Sequence, residues 1–267
     1  MSRPVAPFGR RAAKVIARET HGAYVVLRAH DPTGPVPRAG QFYMLASAAR
    51  WGGGEGERPF LPRAFSVLRA DANELHFLIE DVGPGTKRLC ELTPGEELLL
   101  VGPLGNGFAR PREHRNPLLV GGGVGIAPLA IWQDELGSET NALLGFRDAE
   151  HAAGAALLSA PVVATDDGSV GHHGLVTELL EDALDDRGEE LEVYACGPPA
   201  MLEAVRMACG RREVPAQLAL ESGMACGFGA CFGCVVPTVD GYVRLCLDGP
   251  VLDAQALQTA APAGAGH

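Results

Sequence analysis

The sequence predicts a mixed fold in three consecutive parts: an antiparallel β-barrel, an α/β domain on a parallel sheet, and a small C-terminal cysteine loop. Three observations carry that reading. Short apolar or alternating runs broken by glycine and proline fill residues 10–112. Strand-like apolar runs then alternate with helix-like stretches through 113–220. From 221 the chain becomes rich in glycine and cysteine with little periodicity, which suits a subdomain of about 221–260 whose loop wraps around something.

The barrel rests on six runs, AAKVIARE (12–19), AYVVLRAH (23–30), QFYMLAS (41–47), AFSVLRA (64–70), ELHFLIE (74–80) and ELLLVG (97–102). Each is apolar, β-branched or alternating and is bounded by turn formers. Six short strands so spaced suit a closed antiparallel sheet. Between Trp51 and Phe60 the insert GGGEGERP reads as a surface loop. The second part holds PLLVG (117–121), NALLGF (141–146), PVVAT (161–165), LEVYAC (191–196) and AQLALE (216–221) as buried strands. Helical stretches at 127–137, 174–186 and 199–210 separate them. Strand alternating with helix is the pattern of a parallel sheet covered on both faces.

Composition bounds the function. The chain has 267 residues, 46% hydrophobic and 21% charged, which is globular and long enough for about two domains and a real core. Its net charge of −11 argues against nucleic acid as a partner. No apolar run reaches the ~18 residues that would suggest a membrane span. The first residues, MSRPVAPFGRRAAKV, are basic without an apolar stretch, so no secretory signal is expected.

Seven cysteines are present, and Cys226, Cys231, Cys234 and Cys246 fall in the pattern C-x4-C-x2-C-x11-C. The first three match the plant-type [2Fe–2S] spacing, in which thiolates from one loop converge on a small cluster. Gly227, Gly229 and Gly233 allow the close approach this needs. Structural zinc is the competing reading, although zinc sites usually show two C-x2-C hooks. Cys90 and Cys209 sit in helical patterns and read as small buried hydrophobes.

Nucleotide signals lie upstream. Gly121, Gly122 and Gly123 follow a strand, and Pro128 suits a helix start. The free N–H groups of that turn suit a diphosphate. The spacing is not G-x-G-x-x-G, because Ile126 takes the last place, and a plain strand-to-helix turn is the alternative. Asp166 and Asp167 end the strand PVVAT, where a carboxylate can accept from an adenosine ribose and repel a 2′-phosphate, favouring NAD; capping a loop is the alternative. Cys196-Gly197-Pro198 closes another strand on the same edge, with a simple helix-start turn as its alternative. On the barrel, Arg63 offers a fixed fork of donors beside Ser66, and Gly83-Pro-Gly85-Thr86 precedes a short helical stretch. Singly, each is ordinary.

Together, RAFS (63–66), GPGT (83–86), GGGVGIAPL (121–129), ATDDGSVGHHGLVT (164–177), ACGPPAML (195–202) and MACGFGACFGC (224–234) with Cys246 resemble the ferredoxin–NADP reductase superfamily. Within it the chain is similar to the electron-transfer subunits of NAD-dependent (type B) dihydroorotate dehydrogenases, from about residue 10 to 255. The resemblance implies FAD bound by Arg63, Ala64, Phe65, Ser66, Leu78, Ile79, Glu80, Gly85 and Thr86. It implies NAD near Gly121, Gly122, Gly123, Gly125, Asp166, Cys196, Gly197 and Pro198, and a [2Fe–2S] cluster on Cys226, Cys231, Cys234 and Cys246. It further implies an FMN-containing dihydroorotate dehydrogenase catalytic subunit as partner in a heterotetramer, a cytoplasmic location and a role in pyrimidine biosynthesis. Ala64 departs from the family, many of whose members carry proline there, and the insert at 51–59 has no assigned role. No acid–base triad is visible, so no catalytic side chain is expected, and His172 and His173 read as solvent-facing. Two alternatives stay open: a superfamily reductase serving a hydrogenase, sulfide-linked or oxygenase partner, and a zinc-stabilised module without redox activity.

Overall fold

The computed structural model describes residues 10–52 and 59–261. Strands β1 (Arg11–His21), β2 (Tyr24–His30), β3 (Phe42–Ser47), β4 (Arg63–Asp71) and β5 (Glu74–Glu80), helix α1 (Pro84–Cys90) and strand β6 (Glu97–Leu104) form its first part. The six strands close as β1-β2-β5-β4-β3-β6, every pair antiparallel. Closure follows from the sequence: the six runs put Val15, Leu27, Tyr43, Leu45, Phe77 and Leu100 into one core, with no edge strand left over. The buried Arg88 of α1 bonds to Glu96 at 2.6 Å, which fixes the helix over the entrance to β6. That bond, with donors from Thr93, holds the Glu96 carboxyl down at about 2. Most of the glycine-rich insert, residues 53–58, lies outside the described residues.

The second part contains β7 (Asn116–Gly122), α2 (Ile126–Leu136), β8 (Asn141–Phe146), α3 (Ala149–Ala152), β9 (Val162–Thr165), β10 (His172–His173), α4 (Val176–Arg187), β11 (Leu191–Cys196), α5 (Pro199–Arg211) and β12 (Ala216–Ala219). After it come β13 (Val235–Thr238), β14 (Gly241–Arg244) and β15 (Val251–Asp253). The sheet order is β10-β9-β8-β7-β11-β12-β15. All pairs are parallel except the last, in which β15 runs antiparallel to β12. Two features go beyond the sequence reading. The stretch 221–248, read as loop, contains the β13–β14 hairpin, and two short edge strands, β10 and β15, extend the sheet.

Alternation along the sheet strands divides two cores. Leu119, Leu144 and Tyr194 face α2 and share their cluster with the barrel interior. Val120, Leu143, Val193 and Ala195 face α4 and α5, in a cluster that also takes in Cys234, Val236 and Cys246. The barrel contributes Phe42, Met44 and Leu104 to that second cluster, so the cysteine lobe is wedged between barrel and sheet.

Candidate functional site

The flavin-type motifs meet on the barrel. Arg63 opens β4, and a Cβ built on Gly85 would lie 2.7 Å from its Nε, so the guanidinium lies directly over the GPGT turn. Arg63 Nη1 also donates to the Leu61 carbonyl at 2.7 Å. Thr86 Oγ1 accepts from the Val82 N–H at 2.9 Å and donates to the Gly83 carbonyl at 3.1 Å, which winds the turn tight. Ala64 is exposed, while Phe65 and Ser66 are half-buried. A cationic fork over a glycine turn suits a diphosphate. Leu78 and Ile79 are in the barrel core, 2% and 0% exposed, which leaves their main chain for a ligand. Glu80 turns its carboxylate elsewhere, to Arg147.

The nucleotide-type residues line up at the carboxyl edge of the parallel sheet, where ligands of such sheets gather. Asp166 follows β9, Arg147 follows β8, the glycine turn follows β7 and Gly197 follows β11. The glycines there serve different ends. A Cβ on Gly125 would lie 2.5 Å from the Cys196 carbonyl oxygen, and one on Gly122 would lie 2.7 Å from Met201 Sδ. Gly121 is likewise pressed by Leu129 and Leu144 at 3.0 Å. Only Gly123 combines a left-handed φ of +53° with open space on its Cβ side. The two aspartates also separate. Asp167 caps its own loop by accepting from the Ser169 N–H at 3.0 Å and Oγ at 2.6 Å. Asp166 is exposed at the strand end. Burial pushes the Cys196 thiol well up, so it stays protonated.

The four motif cysteines are free thiols arranged in two pairs. Cys234 and Cys246, both buried, approach at 3.2 Å between sulfurs. Cys226 is the partner of Cys231 and lies within electrostatic range of Cys246. The Gly233 N–H points at Cys231 Sγ at 3.5 Å. Burial opposes ionisation of Cys226, but donors from the backbone of Cys231, Phe228 and Ala230 outweigh it and bring the thiol down to about 7. Burial and the neighbouring Cys234 push Cys246 up to about 12. Among the described residues, no three Cys, His, Asp or Glu side chains group as a lone metal ion would require. Two pairs of sulfurs with backbone N–H donors are the donor set a dinuclear cluster asks for. The loop also leans on the flavin strand. A Cβ on Gly227 would lie 2.5 Å from Met44 Cγ, and Met44 is the cross-strand partner of Ala64.

Residues 221–258 match the iron–sulfur cluster binding domain of dihydroorotate dehydrogenase B. The dihydroorotate dehydrogenase B (NAD(+)) electron transfer subunit of Caldanaerobacter subterraneus subsp. tengcongensis is 35% identical over 91% of this chain and 96% of its own length. The chain is a member of that electron transfer subunit family. The subunit of the same name from a Geobacillus species is 40% identical over 73% of this chain and 79% of its own. Among solved structures, an NADH-dependent reduced ferredoxin–NADP oxidoreductase, described in connection with flavin-based electron bifurcation, superposes with a TM-score of 0.77. It is 25% identical and covers 94% of this chain and 91% of that one. The ferredoxin reductase of carbazole 1,9a-dioxygenase gives a TM-score of 0.65 at 25% identity, covering 78% and 67%.

Within this family member, sequence reasoning passed over a polar cluster at the junction of barrel and sheet. Glu80 meets Arg147, and His151 Nε2 lies 3.3 Å from Glu80 Oε1. His151 Nδ1 lies 2.7 Å from Asp148 Oδ1. Tyr24 sets its ring edge-on to His151 with centroids 5.7 Å apart, and its buried hydroxyl has no hydrogen-bond partner among the described residues. These residues are 67 or more positions apart in part, so no local pattern could have joined them.

Proposed function

We propose that this chain is the electron-transfer subunit of an NAD-dependent dihydroorotate dehydrogenase and serves pyrimidine biosynthesis in the cytoplasm. It works with an FMN-bearing catalytic subunit that oxidises dihydroorotate, two copies of each chain forming the assembly, and links that subunit to NAD⁺. Arg63, Ser66, Gly85 and Thr86 hold FAD, with main-chain contacts from Ala64, Phe65, Leu78, Ile79 and Glu80. Cys226, Cys231, Cys234 and Cys246 hold the [2Fe–2S] cluster. The turn at Gly121, Gly122, Gly123 and Gly125, with Asp166 and the segment Cys196-Gly197-Pro198, receives NAD. When bound, the cluster supplies one-electron steps, the flavin the change between one and two electrons, and the nicotinamide the hydride acceptor.

The protein's own residues position these groups and exclude water. Arg63 neutralises a diphosphate over the Gly85 turn. Asp166 accepts from ribose hydroxyls. Gly125 lets the two NAD-side turns pack backbone to backbone. The buried Cys234 and Cys246 keep one side of the cluster dry, while the exposed Cys231 faces outward, toward where a partner must dock.

One observation carries the reading: the loop of Cys226 is seated through Gly227 on Met44, directly across β3–β4 from Ala64 of RAFS. The cysteine loop is thereby separated from the RAFS strand by a single intervening strand, β3. Anaerobic co-purification with a dihydroorotate dehydrogenase chain tests it. The expected product shows flavin and iron–sulfur absorption, acid-labile sulfide, and reduction of dyes by NADH. Zinc in place of iron and sulfide overturns the reading, and a hydrogenase or oxygenase chain in the pull-down would reassign the partner.

A further inference from the structure

The boundary between barrel and sheet is tied at both ends by charged groups. At the end far from the glycine turn, Arg69 of β4 bonds to Asp134 near the C-terminus of α2 at 2.8 Å. At the carboxyl edge the tie runs through Glu80, the last residue of β5. Its carboxylate is 18% exposed and receives Arg147 Nη2, from the residue that follows β8. Arg147 Nε donates to His151 Nε2 at 3.0 Å, which places the imidazole proton on Nδ1, facing Asp148 at 2.7 Å. Asp148 also caps α3 through the His151 N–H at 3.0 Å. The cluster is screened from water on its barrel side by Tyr24, whose hydroxyl lies 4.0 Å from the Cβ position of Gly123. Arg147 itself is 60% exposed, so what the pair contributes is its direction across the boundary rather than strength.

The placement gives the cluster its meaning. Glu80 ends the strand whose main chain faces the flavin in the proposed function. Arg147 stands between Asp166 and the glycine turn in the row of strand ends that receives NAD. A carboxylate from the first site therefore grips a guanidinium from the second, and that guanidinium in turn holds the imidazole. We propose that Glu80 is a positioning residue: it fixes the nucleotide-binding edge relative to the flavin strand, so that the two cofactors meet in a reactive alignment. This inference rests on the FAD and NAD placement proposed above. It does not make Glu80 a ligand through its carboxylate; the carboxylate is spent on Arg147. A misplacement of about 1 Å can cost on the order of 100-fold in rate, so a partial loosening should show mainly in kcat.

The test uses the full chain in four forms: wild type, Glu80→Arg, Arg147→Glu and the double exchange, with Asp134→Asn as a control at the far tie. Flavin content, iron content, the NAD⁺ dissociation constant and NADH–dye kinetics are measured on each. Either single reversal is expected to lower kcat about tenfold or more while flavin content holds. The double exchange is expected to regain most of that loss. Asp134→Asn is expected to leave kcat within twofold. A readout independent of turnover is the unfolding midpoint of the flavin-free protein, which should be non-additive across the four forms. Unchanged kcat in both single variants, or additive midpoints with no regain in the double, overturns the positioning role. Wild-type protein that holds no flavin or does not react with NADH would instead overturn the cofactor reading beneath it.

Discussion

Two glycine-rich turns of the chain, at 121–125 and at 226–234, use glycine differently. At the first, the missing side chains make room for protein: Gly125 lies against the Cys196 backbone and Gly122 against Met201. The turn is a joint between two strand ends, and its shape is fixed before any ligand arrives. At the second, Gly227 and Gly229 lie against side chains, Met44 and Leu247, and also take left-handed φ values of +76° and +85°, bending the chain so that the thiols pair. Backbone bonds there are few, and the thiols sit partly on one another. The first turn inherits its geometry from the sheet; the second takes it from its left-handed glycines and the side chains packed on them. Removing what holds each turn should therefore have different consequences.

The largest difference is expected from Cys246→Ala. Cys246 is 1% exposed, and alanine removes only its Sγ, so iron content rather than stability reads the effect. Even outer-shell partners of metal ligands change affinity by about 10–100-fold, and a ligand itself should cost more. Iron and sulfide content should fall to near zero, and electron transfer to the catalytic subunit by more than about 100-fold. Flavin content and NADH–dye reduction should persist, because the 121–125 turn does not depend on the cluster. Loss of flavin and NADH reactivity together with iron would break the comparison.

Next comes Gly125→Ala, which strikes the joint. The new methyl would meet main chain, which cannot swing aside as a side chain could, so the cost should be near the upper end of overpacking, about 3 kcal/mol. Chemical denaturation with flavin and iron content in parallel reads it; a change of only a few tenths would show that the two turns are not in hard contact. Gly123→Ala is gentler. It asks an alanine to take φ +53° with no protein atom closer than 4.0 Å, for about 1 kcal/mol. Its expected signature is a raised KM for NADH with little change in iron content.

These contrasts also mark how far the sequence could be read. The six barrel strands were legible because alternation and turn residues agreed along β1 to β6. The parallel strands were legible because runs such as PLLVG and LEVYAC are apolar on both faces. The β13–β14 hairpin was not, since its strands are four residues long, one carries Pro237, and the surrounding glycine and cysteine signal loop. Nor could a two-residue strand such as β10 announce itself by period. Cysteine spacing singled out Cys226, Cys231, Cys234 and Cys246, but their pairing as 226 with 231 and 234 with 246 is a product of the fold. The glycine run was visible as a turn, whereas its division into packing and open positions required neighbours such as Met201 and Cys196, which are distant in sequence. The Glu80–Arg147–His151 junction had no local signature at all.

The smallest expected effect concerns how the cysteine lobe is tethered. Beyond β15, Thr259 Oγ1 and the Ala260 N–H both donate to Glu203 of α5, at 3.1 and 2.6 Å. Arg206 bonds to the same carboxylate at 2.7 Å. The Arg206 guanidinium, together with these donors and against partial burial, holds the Glu203 carboxyl down at about 2. A depressed carboxyl stabilises the fold at pH values above its unfolded range, and that contribution is lost as pH falls from about 4.5 toward 2. Glu203→Gln keeps an acceptor for Thr259 and Ala260 but removes the charge, so it should cost about 1 kcal/mol at neutral pH. The gap between variant and wild type should close as the solution is acidified through that window, a comparison in which any acid loss of the cluster affects both proteins alike. If the lobe borrows its stability from the nucleotide sheet, Glu203→Gln should also speed iron release to a chelator while the affinity for NADH holds. Equal iron retention at a lowered midpoint would mean that the lobe stands on the barrel instead, through Met44, Leu104 and the Asn106 bonds to the Leu247 and Asp248 carbonyls.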